Sequence, residues 1–112
     1  PRLSYEKITV IEKQESSAQI KNRVESAREK QKLRFNSSKI NSEMNVVEVR
    51  KFCKLGAEEE KLMKAAMKQY NLSGRSLHRI LKVARTIADL ANSENILVNH
   101  LAESIQYRPK SE

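Results

Sequence analysis

Glycine and proline are scarce in this chain, with two of each in 112 residues. An all-β sandwich needs a turn signal about every ten residues, so that class is excluded and helices joined by short connections are favoured. There is no tryptophan, with only two phenylalanines and three tyrosines, which leaves no aromatic platform for stacking single-stranded bases. The single cysteine, Cys53, excludes an internal disulfide and gives no sign of an oxidising compartment. No apolar run approaches the roughly 18 residues of a membrane span, and Pro1-Arg2-Leu3-Ser4 does not read as a signal peptide. The expectation is a soluble, cytoplasmic protein with no membrane partner. The only glycines, Gly56 and Gly74, are too far apart for the phosphate-cradling pattern GxxxxGK[ST]. Cys53, His78 and His100 fall on three separate predicted helices, so no zinc site is assigned. No serine or cysteine pairs with a base by spacing, so no catalytic residue is assigned and the chain is not expected to catalyse a reaction alone.

The length suits one small domain. Charge is the strongest feature present: 22 basic against 14 acidic residues, a net +8. Such a surface attracts nucleic acid, nucleotide phosphates or an acidic partner, or is simply solvated. Near the start, Ile8, Val10 and Ile11 form a strand-like scrap with no partner strand downstream, and a lone strand leaves backbone groups unsatisfied. Residues 1–14 are therefore expected to be an extended or disordered remnant cut from a longer protein, with the helical domain occupying 15–112.

Helical punctuation divides the remainder. Ser16 and Gln19 form a capping box opening a helix to about Phe35, with Ile20, Val24, Ala27 and Phe35 as a thin apolar stripe. Lys21, Arg23, Arg28, Lys30, Lys32 and Arg34 occupy its other faces. A polar loop from Asn36 to Ser42 follows. Asn45 and Glu48 repeat the capping pattern for a short helix to about Cys53, with Val46, Val49 and Phe52 inward. The next helix, about Ala57 to Tyr70, has Glu58, Glu59 and Glu60 at its dipole-favoured start, core methionines, and Asn71 as a left-handed C-terminal residue.

Ser73 caps a helix to about Ala91 with the clearest amphipathic pattern in the chain. Leu77, Ile80, Leu81, Ala84, Ile87, Ala88 and Ala91 share an arc of about 120°, while Arg75, His78, Arg79, Lys82, Arg85 and Asp89 fall opposite. A last helix, about Val98 to Tyr107, adds Leu101, Ala102 and Ile105 to the core and stops before Pro109. The expected fold is all-α, a small bundle of four to five helices.

The candidate site is Ser73-Gly74-Arg75-Ser76-Leu77-His78-Arg79. A capped helix start offers free N–H groups and a positive dipole end to an anion. Gly74 permits close approach, Arg75 brings a planar fork of donors, and Arg79 lies one turn on. An ordinary capped helix with a hydrated basic face is the alternative.

The segments Glu15-Ser16-Ser17, Arg23-Val24, Ala27 to Gln31, Leu72-Ser73-Gly74-Arg75, His78 to Leu90 and His100 to Arg108 resemble the C-terminal domain of magnesium-chelatase-related AAA+ ATPases. The similarity is greater to the bacterial competence-type branch than to the chlorophyll-biosynthetic subunit. Gly56 departs from the family pattern, which often has an acidic cap there. The resemblance implies an AAA+ lid in which Arg75 is the second sensor, reaching the γ-phosphate of ATP, with Ser73, Gly74 and Arg79 around the nucleotide. It implies ATP and Mg2+ as cofactors of the full-length parent, with none bound by this chain alone. It further implies partners in the AAA+ core of the same polypeptide and in neighbouring subunits of a homo-oligomeric, hexameric ring that remodels DNA in branch migration during natural transformation. Lys82 and Arg85 are then candidates for the core-domain or subunit interface. Arg85 and Asp89 alternatively form a surface ion pair worth a few tenths of a kcal/mol. Lys21, Arg28 and Lys32 are candidate DNA contacts, or solvated. A lid of a magnesium chelatase subunit and a basic helical DNA-binding module remain the other two functional readings.

Overall fold

The computed structural model describes residues 16–109; the expected remnant at 1–14 lies outside the described residues. The described chain is all-α. Its helices are α1 (Ser17–Phe35), α2 (Val46–Phe52), α3 (Ala57–Tyr70), α4 (Gly74–Leu90) and α5 (Val98–Gln106), with a 3-10 turn at Asn41–Glu43 before α2. No helix among the described residues is long and apolar enough to cross a membrane.

Local chemistry explains the boundaries. Ser16 and Gln19 exchange both capping-box bonds at the start of α1, and Asn45 and Glu48 do the same for α2. The left-handed positions are taken by asparagine: Asn36 ends α1, Asn71 ends α3 and Asn92 follows α4. Asparagine tolerates this region better than other residues with a Cβ, which is how the chain turns with so little glycine. Gly56 stands at the N-cap of α3 without a side-chain cap. A Cβ there would come within 2.5 Å of a Glu59 carboxylate oxygen, so Glu59 folds back over that helix start.

The core forms around α4, whose apolar face carries Ile80, Leu81, Ala84 and Ala88, all buried. It receives Leu101 and Ile105 from α5, Met63 and Ala66 from α3, and Val49 and Cys53 from α2. Ala84 and Ala88 are fully excluded from solvent, so neighbouring helices approach the α4 backbone closely. The Ser104 hydroxyl donates to the Ile80 carbonyl at 2.6 Å, fixing α5 across α4. Phe35 and Phe52 meet edge to face with centroids 5.5 Å apart, and the Arg108 guanidinium lies 3.5 Å from the Tyr70 ring centroid, closing the end of α5 onto α3. Burial raises the Cys53 thiol pKa to about 11, so it packs as an uncharged apolar residue.

The outer faces correct several expectations. Val46, read as inward, is 44% exposed, and Ile20, read as part of the α1 stripe, is 43% exposed. Val46 stands in the first turn of a short helix whose contacts come from Val49 and Phe52, and the first turns of α1 extend past its packed half. Ala91, placed on the apolar arc of α4, is exposed because the helix has already ended. Gln31 is instead buried, accepting from the Asn41 backbone N–H at 2.9 Å.

The largest correction concerns Arg85 and Asp89, expected on the solvent face of α4. They are 5% and 1% exposed. Asp89 accepts two parallel bonds of 2.8 Å from Arg34 of α1, and a third of 2.8 Å from Asn41 Nδ2. Arg85 Nη2 lies 3.2 Å from the same carboxylate. Arg85 also donates to the carbonyls of Glu94 and Ser93 at 3.0 and 2.9 Å. Burial pulls the Arg85 pKa below its ordinary value, with Asp89 opposing the shift. Its Nε has no partner among the described residues. The pair is an internal clamp joining α1, the 3-10 turn, α4 and the loop after α4, not a surface pair.

Truncating one partner of such a cluster strands the others. Asp89→Ala should lower unfolding stability by about 3–5 kcal/mol, measured by denaturant titration. A loss below about 1 kcal/mol would show the cluster to be dispensable.

Candidate functional site

The site forms where the basic flank of α4 emerges from the clamp. Ser73 is extended at the N-cap, and its hydroxyl accepts from the Ser76 N–H at 3.1 Å. The Ser73 and Ser76 hydroxyls also lie 3.1 Å apart, and Ser76 is buried, so the helix start is fixed. Gly74 and Arg75 make up its first turn and are exposed. A Cβ on Gly74 would meet nothing within 4 Å, and its φ is not positive. Nothing among the described residues therefore requires glycine at this position.

Arg75, His78, Arg79 and Lys82 line one open groove of ≈ 660 Å³ together with Ser42, Gly74 and Val83. No carboxylate lines it. Arg75 makes no hydrogen bond or ion pair with any described residue, so its fork of donors faces open space. Lys82 reaches the Ser42 carbonyl at 3.4 Å from the far end of the groove. Arg79 also lines an adjoining cleft of ≈ 210 Å³ with Ser104, Tyr107 and Arg108. The groove thus combines a capped helix N-terminus, a cluster of cations and a glycine with open space above it, an arrangement suited to a phosphate-bearing ligand.

Ser73, Gly74, Arg75 and Arg79 gather at one helix start as the sequence suggested, and Lys82 joins them. Arg85 does not. Its guanidinium is held inside the clamp, and the residue is 5% exposed. Ser42 is the wall residue that sequence reasoning missed. It falls in the polar loop expected from Asn36 to Ser42, which folds against α4 as the Asn41 amide donates to Asp89 and Thr86. Lys21, Arg28 and Lys32 lie apart from the groove, exposed on α1, with Lys21 4.0 Å from Glu25. His100 is buried, its Nδ1 accepting the Leu97 N–H at 3.0 Å, a capping role at the start of α5. Among the described residues no three of His, Cys, Asp and Glu are grouped to hold a metal ion.

With this all-helical fold and a basic helix start in view, comparison with known proteins defines the class. Residues 14–108 match the family described as magnesium chelatase, subunit ChlI C-terminal, and the chain belongs to that family. It is 45% identical over 94 residues to the uncharacterized protein YifB of Escherichia coli, covering 84% of this chain and 18% of that protein. It is 43% identical over 94 residues to the competence protein ComM of Haemophilus influenzae, with the same coverage. With the YifB protein of Salmonella typhimurium it shares 38% identity over 96 residues, covering 86% of this chain and 19% of that one. The chain therefore spans less than a fifth of the length of these curated relatives.

The cap is separable from the ligand-facing residues. Ser73→Ala should cost about 1 kcal/mol in denaturant titration, whereas Gly74→Ala should leave stability unchanged or raise it by up to about 1 kcal/mol. Marked destabilisation by Gly74→Ala would mean that the domain itself needs the glycine.

Proposed function

We propose that this chain is the lid, or second-sensor, segment of a magnesium-chelatase-like AAA+ ATPase, in which Arg75 reads the γ-phosphate of ATP bound by the core of the same polypeptide. The observation that carries this reading is the exposed Arg75 guanidinium, without a described partner, at a capped helix start in a groove lined by cations. A terminal phosphate presents oxygens matched to that fork, and the helix dipole adds to the attraction. Ser73 fixes the first turn, Gly74 leaves room above it, and Arg79 supplies positive charge one turn on. Lys82, at the other end, is the remaining candidate for contact with the core domain or a neighbouring ring subunit. Mg2+ and ATP belong to the parent's core, since this chain has no phosphate loop.

A hydrolysis signal would pass from Arg75 through a helix anchored along most of its length, so the lid would rotate as a body. Because one relative is a competence protein, we extend the proposal to a hexameric parent that remodels DNA, as in branch migration, in preference to one that inserts magnesium into a porphyrin. In the full-length polypeptide, Arg75→Ala should reduce ATP turnover on the order of 100-fold with the melting transition of this domain unchanged. Arg75→Lys should recover only part, because a point charge lacks the fork. Normal turnover in Arg75→Ala would remove the sensor assignment.

A second reading rests on α1. Lys21, Arg28 and Lys32 recur at seven and four residues, which puts them along one exposed stripe of the helix, suited to tracking a DNA backbone. Duplex DNA binding by the 112-residue chain should weaken steeply with salt, and reversing all three charges should flatten that dependence. No binding at low salt would exclude this role for the chain.

A further inference from the structure

On the other side of His78 from the Arg75 groove, a second groove of ≈ 690 Å³ runs between α2, α3 and α4. Its floor is apolar. Met63 and Met67, one turn apart on α3, face Leu77 and Leu81, one turn apart on α4, with Leu55 between the elements. Leu55, Met67 and Leu77 are only partly buried by the core beneath them, so apolar surface remains for a partner to cover. Two helix ridges flanking a trough match the helix-in-groove mode of recognition, and methionine adapts to the side chains it receives. There is no strand among the described residues, so an added β-strand would find no edge to pair with.

The rim sets the chemistry of the occupant. Arg50 and Lys54 stand at one end and Lys64 on the α3 wall, all exposed, against a single carboxylate from Glu60. None of these four side chains makes a hydrogen bond or ion pair with a described residue. Unpaired like charges around an apolar trough repel one another and draw in a ligand of opposite sign. A small anion is a poor fit, since the floor offers it no donors. We propose that this groove docks an acidic, amphipathic helical segment of a partner protein, its apolar stripe on Leu55, Met67 and Leu77 and its carboxylates against Arg50, Lys54 and Lys64. The proposal is independent of the nucleotide-sensing reading, because no part of it uses Arg75 or a bound phosphate.

The test uses the 112-residue chain without nucleotide and a fluorescein-labelled designed peptide with leucine at helical spacing and glutamate on its other faces. Fluorescence anisotropy should show saturable binding. A peptide with leucine replaced by serine, carrying the same charge, should bind at least about tenfold more weakly, and so should one with glutamate replaced by lysine. The double variant Arg50→Glu with Lys64→Glu should lose about tenfold in affinity at an unchanged melting temperature, since both side chains are exposed. Equal binding of the serine peptide would reduce the effect to general attraction by a basic chain and overturn the proposal. Absence of saturable binding would do the same. So would sedimentation showing that the chain self-associates and that the double variant dissociates it, which would make a second copy the occupant.

Discussion

The buried carboxylate of Asp89 organises this domain. An isolated charge cannot remain ionised inside a protein without partners, and Asp89 gathers Arg34 from α1, Asn41 from the 3-10 turn and Arg85 from its own helix. Those partners are themselves held, Arg85 by two backbone carbonyls after α4 and Asn41 by Gln31 and Thr86. One side chain thus ties α1, the loop after it and the exit from α4 together. Buried ion clusters contribute less net stability than their short distances suggest. Their stronger effect is on geometry, since the paired Arg34–Asp89 bonds fix how α1 lies on α4.

That geometry determines which part of α4 is left open. The helix carries a basic flank from Arg75 to Arg85. Its later half is covered by α1 and the 3-10 turn, and its charges are spent inside the domain. Its first two turns project beyond that cover, leaving Arg75, His78 and Arg79 around a groove without a carboxylate, with Lys82 at the boundary against Ser42. The same sequence pattern therefore does two jobs, locking the helix at one end and presenting cations at the other. The serine cap at Ser73 fixes the backbone from which Arg75 projects.

Much of this was legible in the chain itself. Capping boxes at Ser16 and Asn45, the serine cap at Ser73, asparagine at Asn71 and the apolar arc of α4 depend on neighbours within one or two turns, and the helix boundaries follow from them. The grouping of Ser73, Gly74, Arg75 and Arg79 was legible for the same reason. Amphipathicity assigns Arg85 and Asp89 to solvent, but the partners that draw Asp89 inward, Arg34 and Asn41, lie about 50 residues away, and Arg85 pairs with it inside. No local spacing encodes such a contact. The exposure of Ile20 and Val46 has a related cause, because helical spacing says which face is apolar and not whether another element reaches it. Ser42 became a wall of the groove only through the fold of its loop.

Membership in the magnesium chelatase C-terminal family sets the frame in which the exposed, basic start of α4 is read. The sensing account makes a claim about one phosphate group, and nucleotide affinity tests it more directly than turnover does. In the full-length polypeptide, binding of a non-hydrolysable ATP analogue and of ADP should be compared with and without the Arg75 guanidinium. The account predicts that Arg75→Ala weakens the analogue while leaving ADP affinity unchanged. Equal effects on both nucleotides, or none on either, would contradict it.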